Sequence, residues 1–566
     1  MKSKLDIDHL PTLTEMLYHW EREQPNQVFL RQPLGDQWIT YTWSQSVVQI
    51  RKMAAYLTNL QLTPGSKIAL VSKNCAHWIL ADQAITMAGH VSVPLYPTLT
   101  APQLNEILVH SEAKVLFTGK LDDWNGMKNG VPKEIHKITL PLSTDEEYLN
   151  WEAIMDSTDP LEHNYIPSAE DLVAILYTSG TTGTPKGVML HHRNYQLAVR
   201  AVEKVIEVIS KPHTLFSYLP LCHVGERVAV ETAAIYSGGT ISFVESLDTF
   251  VKNLQDTQPT IFFGVPRIWS KFQLGVLEKL SQQKLDILLK IPLINKLIRE
   301  KIKKGLGLTR AEIIITTAAP CPKALLEWYE KMGLPLLELY GMTENHGICT
   351  IMPSEKTKVG SVGKAYPDSE LIIDEETGEI CMKADWVMPG YYKEPDLSAE
   401  VMRDGYLHTG DIGELDEEGF LFITGRLKDT FKTAKGKFIV PGPIEWGFAL
   451  NNDIEQICVL GRNLPQPIAL IVLSEIGMNK TPEQVLISLS HTISEVIKDL
   501  VSYEKLQKAV IVQEPWSIEN GILTPTLKIK RNVLEKLYID KLEDWYHLPE
   551  TIIWEQIPVS RSAHSV

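Results

Sequence analysis

The stretch LVAILYTSGTTGTPKGVML, residues 172–190, decides the fold because it sets a loop rich in glycine and hydroxyl groups between two apolar runs. The flanking runs, VAILY and GVML, are predicted to be buried strands. Glycines let backbone N–H groups turn toward an anion, hydroxyls add donors, and the lysine supplies a mobile positive charge. A plain turn is the alternative, but the position between two buried strands favours phosphate binding. The residues predicted to contact phosphate are Thr178, Ser179, Gly180, Thr181, Thr182, Gly183 and Lys186.

This loop differs from the nucleotide-binding loop of P-loop proteins in two ways. In those proteins the lysine is followed by serine or threonine, and the loop leads directly into a helix whose N-terminus faces the phosphates. Here Lys186 is followed by Gly187, and the helical pattern begins only after HHRN, residues 191–194. The loop is therefore predicted to join one strand to another and to hold phosphate in a different way.

Short apolar runs rich in β-branched residues alternate along the chain with segments of helical spacing, such as residues 194–210. This alternation predicts an α/β fold with mainly parallel sheets flanked by helices. After about residue 360, shorter strands and turns predict a small β-rich unit. We place a domain boundary in the following Lys-, Gly- and Pro-rich segment, between a large N-terminal domain at 1–427 and a small C-terminal α+β domain at 428–566. The predicted strands include 67–73, 114–118, 172–177, 240–244, 260–264 and 312–317.

The composition is that of a globular protein with more than one domain, with 566 residues, 44% apolar and 22% charged. The formal charge of −15 argues against nucleic-acid binding, which needs a basic surface. No two of the six cysteines have CxxC spacing, so neither a disulfide framework nor a zinc site is expected. The sequence shows neither a secretory signal nor a run of about 18 apolar residues. We therefore expect a cytoplasmic protein.

Five motifs in a fixed order resemble those of the adenylate-forming enzymes, a superfamily that includes acyl-CoA synthetases, amino-acid adenylation domains and luciferases. The glycine-rich loop is followed by YGMTE (340–344), GYLHTGD (405–411), GRLKD (425–429) and TPTLKIKR (524–531). These four segments resemble, in turn, the adenine and magnesium segment, the ribose-binding segment, the hinge and the C-terminal lysine motif of that superfamily. The matches therefore extend over most of the chain.

Within this superfamily the chain most resembles the long-chain fatty acyl-CoA synthetases. The similar segments are SYLPLCHVGERV (217–228), FFGVPRIWSK (262–271) and FKTAKGKFIVPGPIE (431–445). Two departures are Leu527, where many relatives have glycine, and Lys383-Ala384, which replaces the usual Arg-Gly pair. The resemblance implies that ATP activates a fatty acid to an acyl-adenylate, and that coenzyme A then takes the acyl group as a thioester, with release of AMP and pyrophosphate.

The resemblance also implies roles for residues of the motifs. The glycine-rich loop and Lys186 hold the β- and γ-phosphates of ATP. Glu344 binds Mg²⁺, an ion that prefers oxygen ligands, together with Thr178 or Thr181; a solvated loop acid is the alternative. Tyr340 stacks on adenine, although it could equally be a core residue. The remaining residues assigned to the nucleotide are Gly341, Thr343, Asp411 and Arg426, the last two at the ribose.

Lys528 is predicted to be the catalytic lysine that bridges the carboxylate and the α-phosphate; by pattern alone it is a solvated lysine on an edge strand. Lys428 has the hinge position, about which the mobile small domain rotates between the two half-reactions. His223 matches a residue beside the acyl pocket and is assigned to catalysis with Lys186 and Glu344; a structural histidine is the alternative. The residues assigned to coenzyme A are Lys435, Gly436 and Lys437, for which a solvated loop is the alternative.

Other functions leave a similar sequence. A fatty acyl-AMP ligase or a peptide-synthetase module delivers its adenylate to a carrier protein, and a luciferase-like oxygenase shares the motifs. A regulatory protein that binds nucleotide without catalysis is a third possibility, but the retention of Lys528, Glu344 and Asp411 argues against it. We expect free coenzyme A as the acceptor, because no carrier domain follows residue 566. The acyl chain length is not readable, because the pocket is built from residues distant in sequence.

Residues 284–304, KLDILLKIPLINKLIREKIKK, oppose the net charge of the chain with seven Lys or Arg against two acids. Pro292 is predicted to kink or begin a helix. Such a segment can lie on an anionic bilayer, where a fatty acid would arrive. A surface helix packed on its own domain is the alternative. The apolar residues at helical spacing are Ile287, Leu288, Ile291, Ile294, Leu297, Ile298 and Ile302.

Overall fold

The chain folds into two compact units, shown by a computed structural model that describes residues 5–145, 147–179, 185–449, 451–498, 500–518, 520–524 and 528–555. Four residues of the predicted phosphate loop, Gly180, Thr181, Thr182 and Gly183, lie outside the described residues. Within the described ranges, no helix is both long and apolar enough to cross a bilayer. The large unit comprises Met1–Ile372, Cys381–Thr409 and Leu415–Phe422, and the small unit comprises Ile373–Ile380, Gly410–Glu414 and Ile423–Val566.

The helices begin and end where the sequence supplies suitable caps. The first helix starts at a capping box formed by Thr12 and Glu15, and one later helix ends at Gly307 in the left-handed conformation. The α-helices are α1 Leu13–Glu23, α2 Trp43–Asn59, α3 Ala76–Met87, α4 Ala101–Ser111, α5 Trp124–Met127, α6 Trp151–Ser157, α7 His192–Glu203, α8 Val224–Glu226, α9 Ala233–Ser237, α10 Phe250–Thr257, α11 Pro266–Lys279, α12 Gln282–Lys290, α13 Ile294–Leu306, α14 Lys323–Lys331, α15 Pro395–Val401, α16 Pro441–Trp446, α17 Glu475–Met478, α18 Pro482–Lys498 and α19 Arg531–His547.

The central strands are apolar along their whole length, which is the pattern of parallel strands covered on both faces. The strands are β1 Val28–Leu34, β2 Gln37–Thr42, β3 Lys67–Val71, β4 Val91–Leu95, β5 Val115–Thr118, β6 His136–Thr139, β7 Leu149–Asn150, β8 Leu172–Ser179, β9 Pro185–His191, β10 Thr214–Ser217, β11 Thr240–Phe243, β12 Ile261–Gly264, β13 Ile313–Thr316, β14 Leu337–Tyr340, β15 Thr350–Ile351, β16 Lys364–Ala365, β17 Ser369–Ile373, β18 Glu379–Ala384, β19 Met402–Arg403, β20 Tyr406–Leu415, β21 Leu421–Arg426, β22 Phe431–Lys432, β23 Phe438–Ile439, β24 Ile454–Leu460, β25 Ile468–Leu473, β26 Lys508–Ile511 and β27 Ile552–Trp554.

Two sheets organise the large unit. One has the strand order β7-β6-β5-β3-β4-β8-β9, and the other has the order β16-β15-β14-β13-β12-β10-β11-β1-β2. Central neighbours such as β3 and β4, or β12 and β13, run parallel, whereas the end pairs β8–β9 and β1–β2 run antiparallel. In the small unit, β24-β25-β26-β27 form one sheet. Alternate residues of β25 join clusters with α19 on one face and α18 on the other.

The predicted α/β class is confirmed, and each of the six predicted strands is present. The loop of the opening stretch joins β8 to β9, as the strand-to-strand prediction required. The small β-rich region after residue 360 is present as β17 to β21, but its strands are not all short, since β20 has 10 residues. The predicted boundary at residue 428 lies close to Ile423, where the long segment of the small unit begins.

One helix ends earlier than its sequence pattern suggests. The pattern predicts a helix over 194–210, but α7 ends at Glu203. The carboxylate of Glu203 accepts hydrogen bonds from the backbone N–H groups of Val208 and Ile209, at 2.7 and 2.8 Å. These bonds hold the chain in a turn after the helix, so the apolar residues that follow do not extend it.

A buried cluster of charged and polar side chains ties α3 to the helical segment that follows α8. Arg227 donates through both terminal nitrogens to the carboxylate of Asp82, at 3.0 and 2.6 Å, and through Nε to the hydroxyl of Tyr195 at 2.8 Å. Gln83 donates to Oε1 of Glu231 at 2.8 Å, and Oε2 of Glu231 has no partner among the described residues. Because all five side chains are buried, this cluster fixes how the two segments pack.

We predict that the carboxyl group of Glu231 makes the stability of the large unit fall as the pH rises. Burial, and then the charge of Asp82, raise its pKa from the ordinary value of 4.5 to about 8. Since the pKa is higher in the folded state, unfolding releases a proton between these two values, and stability is lost as the pH rises from 4.5 to 8. Glu231→Gln should remove this loss of stability. Calorimetry should therefore show that, as the pH rises from 4.5 to 8, the melting temperature of the wild type falls relative to that of the variant. Glu330→Gln, at an exposed position, is the control and should change the melting temperature with pH as the wild type does. Melting temperatures of wild type and Glu231→Gln that change in parallel with pH would contradict the prediction.

Candidate active site

The antiparallel hairpin of β8 and β9 positions the described ends of the predicted phosphate loop. Ser179 ends β8, and Thr178 lies directly opposite Lys186 in the register. Gly187 is required by packing, because a Cβ at this position would lie 2.7 Å from Cγ2 of Ile175. The hairpin therefore places a hydroxyl and an ammonium group side by side at the start of the loop.

The YGMTE motif leaves β14 and turns through a short 3₁₀ helix that begins at Thr343. Tyr340 is buried at the end of the strand. A Cβ on Gly341 would collide with the backbone carbonyl of Gly347, so the turn admits only glycine here. The turn carries Glu344 to a buried position. Glu344 is therefore not a solvated loop acid.

A hydrogen bond from Tyr391 holds the carboxylate of Glu344. The Tyr391 hydroxyl donates to Oε1 of Glu344 at 2.7 Å. Burial, and then the charge of Glu344, raise the pKa of the Tyr391 phenol well above its ordinary value of 10, so the hydroxyl keeps its proton and donates. The Lys186 ammonium lies over the Tyr391 ring, 5.5 Å from its centre. The structure thus brings Lys186 and Glu344 together around Tyr391, and Thr178 is the register partner of Lys186.

Tyr391 was not predicted from the sequence. It lies in MPGYYKEP, where a glycine and a proline flank two tyrosines, and this pattern indicates only a turn. Its backbone forms an isolated bridge with Val188, and the neighbouring Tyr392 N–H donates to the carbonyl of Gly187 at 2.7 Å. The segment therefore lies along β9, beside the hairpin, and the contact that matters is made by a residue far away in the sequence.

His223 caps the short helix α8. Its Nδ1 accepts a hydrogen bond from the backbone N–H of Gly225 at 3.1 Å, which assigns the proton of the neutral ring to Nε2. A Cβ on Gly225 would lie 3.3 Å from Cζ of Phe263, so the loop is closely packed. Glu226 at the end of α8 is buried, and burial raises its pKa to about 8. The capping role that was the alternative reading of His223 is present, and its catalytic role stays a prediction.

In the small unit, Asp411 and Arg426 form an ion pair. Nε of Arg426 donates to Oδ1 of Asp411 at 2.6 Å. Asp411 is buried, whereas Arg426 is partly exposed. The arginine therefore holds the buried carboxylate by a charge-assisted hydrogen bond, and the ribose-binding role of the pair stays a prediction. Lys428 follows in a short 3₁₀ helix and is exposed, as a hinge residue would be.

The three residues assigned to coenzyme A lie on the turn between β22 and β23 of the small unit. Gly436 has φ +75°, a left-handed conformation that glycine adopts readily, and its N–H donates to the carbonyl of Thr433 at 2.9 Å. Lys435 and Lys437 are both exposed. The ammonium of Lys437 lies 5.7 Å from the ring centre of Tyr503. The turn is ordered by its own hydrogen bonds and presents two cationic side chains.

Lys528 is exposed at one end of a short connection in the small unit. Its backbone N–H donates to Oγ1 of Thr524 at 3.0 Å, and its carbonyl accepts from the N–H of Thr524 at 2.8 Å. Leu523 and Ile529 form a bridge next to this pair. Leu527 lies outside the described residues. Two hydrogen bonds to Thr524 therefore hold the backbone of Lys528, and the residue is exposed.

Two family models cover most of the chain. The model described as AMP-binding enzyme matches residues 17–392, and that described as AMP-binding enzyme C-terminal domain matches residues 428–550. This chain belongs to the AMP-binding enzyme family. The resemblance stated from the five motifs is thereby confirmed.

Known proteins similar to this AMP-binding enzyme cover it almost fully. Fatty acyl-CoA synthetase A of Dictyostelium discoideum is 30% identical, over 90% of this chain and 86% of that protein. Long-chain-fatty-acid–CoA ligase ACSBG2 of Rattus norvegicus is 27% identical, over 90% and 89%. The A domain of carboxylic acid reductase from Segniliparus rugosus, solved with AMP and a co-purified carboxylic acid, superposes with a TM-score of 0.79 at 20% identity, over 95% of this chain and 94% of that one. The last likeness establishes the fold.

The oxygen atoms around Glu344 suit a magnesium ion. Mg²⁺ is bound in proteins by one or two carboxylates, by hydroxyl groups and by substrate phosphates. Glu344 supplies a buried carboxylate that a hydrogen bond holds in place, and Thr178 supplies a hydroxyl at the hairpin. Thr181, the alternative ligand, lies outside the described residues. The described residues thus fit a site for Mg²⁺ that is completed by phosphate oxygens.

We predict that Tyr391→Phe weakens the binding of magnesium and ATP without unfolding the enzyme. The phenyl ring keeps the surface beneath Lys186, but the hydrogen bond to Glu344 is lost. A hydrogen bond to a charged group contributes about 1.5–3 kcal/mol, so the Kd for Mg·ATP should rise by at least about tenfold. Calorimetric titration measures this change.

Tyr392→Phe is the matched control for this prediction. Its hydroxyl contacts Glu112, at 3.4 Å, and not Glu344, so the Kd for Mg·ATP should not change. If Tyr391→Phe binds Mg·ATP as the wild type does, with the same dependence on Mg²⁺ concentration, then the hydrogen bond does not position a metal ligand.

Proposed function

We propose that this AMP-binding enzyme is a long-chain fatty acid–CoA ligase. It joins the carboxylate of the acid to the α-phosphate of ATP, releases pyrophosphate, transfers the acyl group to coenzyme A and releases AMP. The observation that carries the proposal is the contact of Lys186 and Glu344 through Tyr391, which sets a cation and a metal ligand at the phosphate hairpin. The names of the fatty-acid ligases to which the chain is similar over about nine-tenths of its length support the choice of acid.

The chemistry explains why such a site is needed. A carboxylate does not react with a thiol, because its leaving group would be oxide. Attack of a carboxylate oxygen on the α-phosphorus forms an acyl-adenylate and breaks the bond to pyrophosphate. The thiol sulfur then attacks the carbonyl carbon, the bond to AMP breaks, and the thiol proton passes to solvent. Since anions approach one another in the first step, positioning and positive charge are the main catalytic contributions.

The large unit supplies the phosphate and metal contacts in this proposal. Lys186 and the glycine-rich loop hold the β- and γ-phosphates, and the Tyr391 ring beneath Lys186 directs its ammonium group. Glu344 and Thr178 hold Mg²⁺, which when bound neutralises charge on the phosphates. The adenine contacts are assigned to Tyr340, Gly341 and Thr343. His223 lies at the acyl group.

The small unit supplies the ribose contacts and the catalytic lysine. Asp411 accepts hydrogen bonds from the ribose hydroxyls, and Arg426 fixes its carboxylate. Lys528 offsets the repulsion between the carboxylate and the α-phosphate during adenylation. Lys428 is the hinge for the rotation that admits the thiol. The exposed turn that carries Lys435, Gly436 and Lys437 binds coenzyme A.

The proposal includes contact with a membrane surface. A long-chain acid is dissolved in bilayers, so a ligase gains access to it there. Residues 284–304 provide the contact, and the protein is otherwise free in the cytoplasm.

The experiment that tests the proposed function uses a panel of carboxylic acids from acetate to oleate. Pyrophosphate release and thioester formation are measured with and without coenzyme A. We expect long-chain acids to give both products, with thioester only when coenzyme A is present. Pyrophosphate release with no thioester in its presence would point to a carrier protein as the acceptor. Absence of acid-dependent pyrophosphate release would refute the proposal.

We predict that Lys528→Ala abolishes adenylation but spares thioester formation. Loss of one preorganised positive donor at a transition state lowers the rate by about 10²- to 10³-fold. The variant should form acyl-CoA from chemically synthesised acyl-adenylate at close to the wild-type rate, because that step does not bring the carboxylate to the α-phosphate. Lys530→Ala, two residues further on, is the control and should keep both activities. Undiminished pyrophosphate release by Lys528→Ala would exclude Lys528 as the catalytic residue.

A further inference from the structure

The connection between α12 and α13 presents a cluster of apolar side chains to solvent. We call these five residues the apolar corner. Large side chains that are this exposed are common singly, but a contiguous group at one turn of the chain marks a binding surface. Their exposed fractions are 61% for Ile287, 39% for Ile291, 82% for Leu293, 36% for Ile294 and 70% for Leu297.

The opposite face of the same two helices packs on the large unit. Leu285, Ile302 and Leu306 are buried in a core cluster that includes residues of β12, α11 and α14, and Ile298 packs partly against it. Nε1 of Trp328 in α14 donates to Oε1 of Gln282 at the start of α12, at 3.1 Å. The helices are therefore anchored through one face, and the apolar corner is preformed.

This arrangement corrects the sequence prediction of a single apolar face. Ile302 is buried, Ile298 is half-buried against the core cluster, and Leu288 is half-buried, so they do not belong to the exposed set. Pro292 lies between α12 and α13 and so separates two helices that the hydrophobic pattern does not distinguish. The segment packs on its own domain, which was one alternative from the sequence, and it also exposes an apolar surface. Contact with a bilayer, the other alternative, stays a prediction.

The most exposed of these residues has a strained backbone. Leu293 has φ +69°, in the left-handed region that favours glycine and costs a leucine free energy. Its side chain is also almost entirely in water. The strain and the exposure oppose stability in solution, and both are concentrated at the tip of the corner. An apolar environment around the tip would remove the second of these costs.

Cationic side chains lie on both helices that flank the corner. Segment 284–304 carries a net charge of +5, from seven Lys or Arg and two acids, within a chain of net charge −15. Both acids are engaged: Asp286 accepts a hydrogen bond from Gln282 at 2.8 Å, and Glu300 pairs with Lys303 at 3.8 Å. The exposed lysines are Lys284, Lys290, Lys296, Lys301 and Lys304. An apolar tip flanked by lysines matches acyl chains beneath anionic headgroups.

We infer that the apolar corner inserts into the headgroup boundary of an anionic lipid bilayer, with the lysines of both helices at the phosphates. Lysines near such a surface are attracted to its negative charge. The apolar corner would make the membrane contact that the proposed function includes. The benefit of this contact rests on the proposed function, because the bilayer holds the fatty-acid substrate. Binding to vesicles is measured without any substrate, so its failure and the failure of the ligase activity are separate results.

The test is co-sedimentation of the full chain with phosphatidylglycerol vesicles and with phosphatidylcholine vesicles. We expect the protein to bind the anionic vesicles. This binding should weaken as the salt concentration is raised, because salt screens the attraction between exposed lysines and anionic headgroups. Lys290→Glu combined with Lys296→Glu should weaken binding by at least about tenfold. The control is Lys114→Glu combined with Lys133→Glu, which makes the same charge change at exposed positions elsewhere in the large unit and should bind like the wild type.

Leu293→Gly separates the apolar contribution from folding. Glycine suits the left-handed backbone, so this variant should melt no lower than the wild type, yet it removes the tip and should weaken vesicle binding severalfold. Three results would overturn the inference. The first is that the wild type does not bind anionic vesicles. The second is that the Lys290→Glu, Lys296→Glu double variant and Leu293→Gly bind them as the wild type does. The third is that the protein self-associates in solution and that Leu293→Gly abolishes this association while vesicle binding persists.

Discussion

The hydrogen bond from the Tyr391 hydroxyl to the buried carboxylate of Glu344 is the interaction on which the site depends. It joins a turn after β14 to a segment that lies along β9, and the Tyr391 ring also lies beneath Lys186. Without it, the buried carboxyl group of Glu344 would lose this donor, and a buried polar group left without its hydrogen bond costs free energy. With it, the carboxylate of Glu344 is held beside the ring that lies beneath Lys186, at the position where we propose a metal ligand.

The surrounding fold keeps these groups in place by close packing and by buried polar contacts. Gly341 and Gly187 stand where a Cβ would collide, so the turn and the hairpin have little freedom. The buried pair of Asp82 and Arg227 links α3 to the segment after α8, close to His223 in the sequence. Such a pair adds little net stability, but losing one partner is costly. It therefore specifies the packing of the segments that carry the site.

The sequence predicted the architecture better than it predicted the site. Parallel strands covered on both faces must be apolar throughout, so β3 and β13 could be recognised from composition alone. Lys186 and Glu344 could be proposed because they lie in motifs. Tyr391 could not, since its contact spans 47 residues and no local pattern encodes it. The division of segment 284–304 into buried and exposed apolar residues was also hidden, because it depends on which neighbours pack against each helix.

A crystal structure of the enzyme with ATP and Mg²⁺ bound would test the central claim most directly. We expect the phosphates to lie against the β8–β9 hairpin, with Nζ of Lys186 at about 2.7–3.2 Å from a phosphate oxygen and the metal on Glu344. Nucleotide bound away from this hairpin, with no phosphate oxygen near Nζ of Lys186 and no metal on Glu344, would contradict it.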